Sequence, residues 1–329
     1  MSIPESFQGR LRLPLISAPM FLVSGPELVI EACKAGVVGT FPALNERSSE
    51  GFEQWLIQIR EALDAFEQET GKKAAPFGVN LIVHQTNPRV QADLELCIKH
   101  KVPLIITSLG AVKDLVDAVH SYGGLVFHDV INIRHAKKAA AAGVDGLIAV
   151  CNGAGGHAGT LNPFALLSEI RQFYQGVLIL SGSMSTGQDV AAAQMMGADL
   201  AYMGTRFINT QESRANPEYK QMIIASSASD ITYTPKVSGI WANFLKPSLE
   251  MAGLDPESGE KKKVDLGEEL QAPEGGASAW KSIWSAGHGV GAISDAPSTA
   301  ELVDRMANEY HRAADQFATQ ATQFKRSAS

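Results

Sequence analysis

Eight times along the chain a short apolar run is followed by an amphipathic helical pattern, and no other feature constrains the fold as strongly. Strands are expected over 13–20, 37–43, 77–83, 104–108, 125–130, 146–150, 177–180 and 200–203. Helices are expected over 26–35, 52–69, 89–100, 112–121, 133–142, 163–174, 187–196 and 217–226. The apolar runs are continuous rather than alternating, as in parallel strands buried on both faces. Pro26 suits a first helical turn, while Gly36 and Gly143 suit helix ends. Eight such units predict an α/β fold closed as a (β/α)8 TIM barrel, in preference to an open doubly wound sheet.

The pattern breaks after residue 229. Residues 230–239 read as irregular, 240–252 as helical, and 253–279 as a polar, charged, lid-like excursion. A second glycine-histidine cluster follows over 286–291, and an amphipathic helix runs over 298–324. The expected division is a barrel over 1–229, a pocket-covering insertion over 230–297 and a C-terminal helix over 298–329 packing on the barrel.

Charge and cysteine content exclude several function classes. The net charge is −7 with no dominant basic run, which argues against nucleic acid as a partner. Cys33, Cys97 and Cys151 are too widely spaced for a disulfide framework or a Cys-x-x-Cys metal site, and they suit a reducing compartment. No long apolar run or secretory signal is present, so no membrane partner is expected and the predicted location is cytoplasmic. A homodimer is carried as the candidate assembly.

In such barrels chemistry sits at the carboxyl ends of the strands. There the first strand places Ala18, Pro19 and Met20, the third Asn80 and His84, the fourth Thr107 and Ser108, and the fifth His128 and Asp129. The sixth strand opens into a loop, Cys151-Asn152-Gly153-Ala154-Gly155-Gly156-His157-Ala158-Gly159, in which glycines surround a histidine that can exchange a proton near neutrality. The seventh and eighth supply Ser181-Gly182-Ser183 and Gly204-Thr205-Arg206. Small residues at those two ends form the phosphate site expected of this fold, with Ser183 and Thr205 adding hydroxyl donors.

A phosphorylated ligand follows from that site. No lysine falls at a strand end, which disfavours Schiff-base and pyridoxal chemistry. Flavin mononucleotide (FMN) fits, with Asn80 and the backbone near Pro19 and Met20 available to its polar edge. One of His128 and Asp129 must point away from the barrel axis. His128 is therefore carried as a flavin contact, with packing as the open alternative. Gly153, Gly155 and Ala158 match a dinucleotide fingerprint, but the acidic residue that should follow at the next strand end is absent. A metal held by His84, His128, His157 and Asp129 lacks supporting spacing.

These residues resemble the nitronate monooxygenase family of FMN-dependent TIM-barrel enzymes. The matching pieces are PLISAPM at 14–20, GVN at 78–80, AGGHAG at 154–159, SGS at 181–183, MGTRF at 203–207 and WSAGHGVG at 284–291. The resemblance implies that His157 is the catalytic base or substrate-orienting residue. It also implies that Asn80, Gly156, Gly182, Gly204 and Thr205 contact FMN, with Gly155 in the same loop. Many members carry a glutamine and a glutamate ahead of the histidine. Here both are absent, and Asn152 is the nearest amide. The implied reaction joins a small nitronate or nitroalkane with O2 to give a carbonyl compound and nitrite. Relatives with the same motifs include FMN-dependent enoyl-thioester reductases and NADH:quinone reductases, so an NAD(P)H-dependent reductase is the alternative. A non-enzymatic flavin- or phosphate-binding module is the third reading.

Overall fold

The computed structural model describes residues 3–324 apart from 85, 109–112, 238 and 256–282. Most of the expected excursion over 253–279, and the end of the tail, lie outside the described residues.

Parallel strands β1 (Leu15–Ser17), β2 (Val38–Pro42), β3 (Phe77–Ile82), β4 (Leu104–Ser108), β5 (Leu125–Val130) and β6 (Gly146–Val150) pair in chain order. The two-residue β7 (Gly156–His157) stands apart, and β8 (Val177–Ser181) and β9 (Leu200–Met203) complete a closed eight-stranded barrel. Closure is direct, with Ile16 opposite Tyr202 and Ser17 opposite Met203. Between the strands run α1 (Pro26–Ala35), α2 (Ser49–Thr70), α3 (Val90–Lys99), α4 (Lys113–His120), α5 (Ile133–Ala141), α6 (Pro163–Arg171) and α7 (Gly187–Met195). Side chains satisfy amides at helix starts that would otherwise lack partners: Ser48 caps α2, Asn132 caps α5, and Thr186 forms a capping box with Asp189 on α7.

Period-two alternation divides the strands between two cores. Ile16, Val38, Ile106, Phe127, Ile148, Ile179 and Tyr202 fill the barrel interior. Leu15, Phe41, Val79, Ile105, Val126, Leu178 and Ala201 pack outward under the helices. Parity therefore decides which residue at each strand end can face the barrel axis.

The chain after β9 departs from expectation. It continues through α8 (Thr205–Ile208) and α9 (Pro217–Ala225). The helix that stands against both α7 and α1 is not α9. It is α11 (Thr299–Thr322), which follows strands β10 (Ile231–Thr234) and β11 (Ala242–Leu245) and helix α10 (Lys246–Met251). Leu302, Val303 and Met306 of α11 are buried, each contributing about 1.5–3 kcal/mol. Gly187 permits the close approach, since a Cβ there would stand 1.8 Å from the carbonyl oxygen of Met306.

The helix expected over 240–252 is also corrected, because its first half is strand. Tertiary pairing overrides local preference: β11 lies antiparallel between β10 and β7, with Ala242 opposite His157 and Asn243 opposite Gly156. Among the described residues no helix is long and apolar enough to cross a membrane.

Candidate active site

A cavity of about 430 Å³ opens at the carboxyl ends of the barrel strands, within the size range of small-molecule sites. Ala18, Pro19 and Met20 follow β1 on its wall, and Asn80 and Ser108 reach it from β3 and β4. Gly155, Gly156 and His157 come from the loop after β6, Gly182 and Ser183 follow β8, and Gly204 and Thr205 follow β9. One fold feature thus gathers side chains spread over nearly two hundred positions.

His128 and Asn152 are not among the lining residues. His128 shares its strand face with Val126 and Val130, turned toward the helices, and its Nδ1 pairs with Thr107 Oγ1 at 2.7 Å. Burial holds its pKa down to about 4. Asn152 is exposed, and its backbone N–H donates to Leu161 O at 3.0 Å. Arg206, which follows Thr205 at the expected phosphate site, is buried and instead donates to Asp295 Oδ1 at 2.8 Å and to the Asp295 carbonyl at 3.2 Å.

The acid that does face the cavity is Asp129, on the Phe127 side of β5. Asn80 Nδ2 donates to Ser108 Oγ at 3.1 Å, and Ser108 Oγ donates to Asp129 Oδ2 at 2.5 Å. The chain of bonds crosses three adjacent strands. Burial raises the Asp129 pKa to about 6, against the lowering effect of the Ser108 bond. Among the described residues Asp129 Oδ1 has no hydrogen-bond partner, and neither has Ser285 Oγ on the same cavity wall. Asp129 shares its parity with Phe127, which the folded barrel turns inward, and His128 has the opposite parity.

His157 is exposed and lines the cavity. The surrounding protein desolvates the imidazolium and lowers its pKa to about 4, so the ring is neutral at physiological pH. Its position is set by β7 pairing with β11. Two further bonds hold the loop: Asn243 Nδ2 donates to Ala154 O at 2.7 Å, and Tyr233 Oη donates to Ala158 O at 2.8 Å.

Much of the loop's glycine content serves protein packing. Gly153 has φ +75°, and a Cβ there would stand 2.2 Å from Ser183 Oγ and 2.9 Å from His288 Nδ1. The second glycine-histidine cluster docks here, with His288 N donating to Gly153 O at 2.9 Å and Gly287 N to Thr205 Oγ1 at 2.9 Å. Gly287 and Gly289 consequently join the cavity wall. Trp284 and Tyr219 stack at 5.1 Å beside them.

At one corner of the cavity, the ends of the paired strands β8 and β9 contribute Gly182, Ser183, Gly204 and Thr205 to its wall. The N–H groups of Phe207 and Ile208 in α8 donate to Gly204 O, and Thr205, whose oxygen accepts from Gly287, keeps its own hydroxyl proton to donate. This corner suits an anionic group. Cys151 is buried with its thiol pushed up to about 12, so it is no nucleophile. Among the described residues no cluster of three or more histidines, cysteines or carboxylates could hold a metal.

A family model described as nitronate monooxygenase matches residues 89–309, more than half of the chain. A nitronate monooxygenase from Paraburkholderia phytofirmans is 24% identical over 92% of this chain and 93% of its own length. A (3aS,4S,5R,7aS)-5-hydroxy-7a-methyl-1-oxo-octahydro-1H-indene-4-carboxyl-CoA dehydrogenase from Rhodococcus jostii is 28% identical over 73% of this chain and 67% of its own. Among solved structures, nitroalkane oxidase from Streptomyces ansochromogenes has a TM-score of 0.76 at 21% identity, covering 95% of this chain and 100% of that one. FabK from Thermotoga maritima also has a TM-score of 0.76 at 21% identity, with 95% and 97% covered. At such identities the solved structures speak for the shared barrel alone.

Proposed function

The chain belongs to the nitronate monooxygenase family and is an oxidoreductase, and from that premise we propose that it binds FMN and oxidises a small alkyl nitronate with O2 to a carbonyl compound and nitrite. The observation that carries this reading is the placement of His157 on the same cavity as the anion-binding corner at Gly182, Ser183, Gly204 and Thr205. The residues fit the cofactor. The corner would hold its phosphate, Asn80 and the backbone after Ala18 would serve its ring, and Asp129 Oδ1 and Ser285 Oγ, without a partner among the described residues, leave polar atoms for a ligand to satisfy.

Bound flavin supplies the electron transfer that lets O2 react with a nitronate. The protein's part is binding, orientation and proton placement. A neutral imidazole at His157 can donate one N–H bond to a nitronate oxygen without adding charge. With its pKa held to about 4 it is a weak base. That favours a substrate arriving as the nitronate anion over a neutral nitroalkane awaiting deprotonation. Residues of the 230–297 insertion, among them Ile240 and Trp284, supply part of the wall and would select the substrate.

A second reading is an NAD(P)H-dependent reductase of a thioester, whose thioester part is supported by the 28% identity to a carboxyl-CoA dehydrogenase. Anaerobic reduction separates the two. The nitronate reading expects a nitronate to bleach the flavin while NADH and NADPH do not, and rapid bleaching by a nucleotide alone would transfer the assignment to the reductase class. Purified protein that contains no flavin and takes up no added FMN would dismiss both.

A further inference from the structure

Of the acidic, basic and histidine side chains among the described residues, three line the cavity: Asp129, His157 and Arg214. Arginine keeps its charge at every working pH. Burial keeps His157 neutral, so Arg214 is the cation among these three wall residues.

Arg214 is held in place and yet its donors are not consumed. Its guanidinium lies 4.4 Å from the centre of the Trp55 ring, a cation–π contact that fixes one face of the group. Gly25 leaves the space it occupies, since a Cβ there would stand 2.4 Å from Nε. The Arg214 backbone N–H donates to Val23 O at 2.9 Å, tying this loop to the turn after β1 that lines the same cavity. Glu27 forms a long ion pair with Nε at 4.0 Å, and the Arg214 side chain is 43% exposed at the cavity mouth. Among the described residues the side chain makes no hydrogen bond to protein.

The structural arginines of this chain behave differently. Arg206 spends its donors on Asp295. Arg171 bonds Asp199 at 2.6 Å, Gly176 O at 2.9 Å and Gly197 O at 2.8 Å. A guanidinium stacked, oriented and unspent at a cavity wall has its planar fork ready for a carboxylate or phosphate.

We propose that Arg214 binds an anionic group, carboxylate or phosphate, that the substrate or co-substrate carries away from its reacting end. The assignment rests on the oxidoreductase reading of the cavity and names the substrate class: the molecule that enters is anionic at a second point.

The test uses FMN-loaded wild type, Arg214→Gln and Arg214→Lys. In the first arm the flavin absorbance is titrated at equilibrium with butyrate and with butyramide, which differ in the carboxylate charge. In the second, half-saturation for anaerobic flavin reduction is compared for NADPH and NADH, which differ in one phosphate. Wild type should favour the more anionic member of at least one pair by roughly 10- to 100-fold, the strength of a charge-assisted bond. Arg214→Gln should erase that preference and Arg214→Lys keep part of it, since lysine offers charge without the fork. Preference in the first arm identifies a small carboxylate, and preference in the second a nucleotide phosphate. FMN affinity, read by fluorescence quenching, should match wild type in both variants. A preference that survives in Arg214→Gln, or no preference in wild type for either pair, overturns the assignment. Loss of the parent reading is separate: a protein that oxidises no nitronate and is reduced by neither nucleotide can still show the equilibrium preference.

Discussion

Asn243 donates its side-chain N–H to the carbonyl oxygen of Ala154 at 2.7 Å, across 89 positions of sequence. The bond joins β11 to the loop that carries His157, and it is buried, so nothing replaces it when lost. Asn243→Ala should cost about 1–3 kcal/mol in urea unfolding, because the Ala154 carbonyl is left without its partner. Nitronate turnover should fall while FMN stays bound. Wild-type turnover in this variant would mean that β7 alone positions the histidine.

His157→Ala and His157→Asn should lower kcat for nitronate oxidation by roughly 100-fold, the lower range for a positioned imidazole. The visible flavin spectrum and FMN content should not change. Equal turnover in wild type and both variants would remove His157 from the mechanism.

The pH dependence of stability should show opposing contributions in the FMN-free protein. His157 and His128 are held down to about 4, below the ordinary 6.5, so the unfolded chain binds their protons first and stability falls as pH drops from about 6.5 toward 4. Asp129 is raised from 3.8 to about 6, so the folded state binds the extra proton and stability falls as pH rises from about 4 through 6. Asp129→Asn removes that second contribution. Its urea midpoint should therefore climb more steeply than wild type between pH 4.5 and 6.5, and an unchanged slope would show that Asp129 titrates normally.

The α11 seam predicts a contrast within one helix. Leu302→Ala removes a side chain that is 1% exposed and should destabilise by about 2–5 kcal/mol. Phe317→Ala, at a site 53% exposed, should stay within about 0.5 kcal/mol. Calorimetric unfolding of the two variants checks both. Similar losses would place Phe317 in an interface.

The barrel was legible because each strand-helix unit writes its own local pattern. Continuous apolar runs such as 146–150 and helix-end signals such as Pro26 and Gly36 need no distant information. The strand-end residues were legible for the same reason, since closing eight units in order puts Met20, Asn80, Gly182 and Thr205 around one mouth.

What tertiary structure decided are matters of partner and face. Whether His128 or Asp129 looks inward depends on register against neighbouring strands, which shifts by one residue without changing composition. That Ala242–Leu245 is strand rather than helix follows from β7 and β10 offering backbone partners on both sides. That α11, and not the helix at 217–226, stands between α7 and α1 depends on the backbone contact Gly187 allows, over a hundred positions away. The glycines around His157 likewise mark a close approach in sequence, but only the folded chain shows that Gly153 makes room for Ser183 and His288. Sequence thus determined the elements and the ring of candidates, because propensity and periodicity act locally. Packing chose the inward acid, the second sheet and the unspent arginine, because those depend on atoms brought together only when the barrel closes.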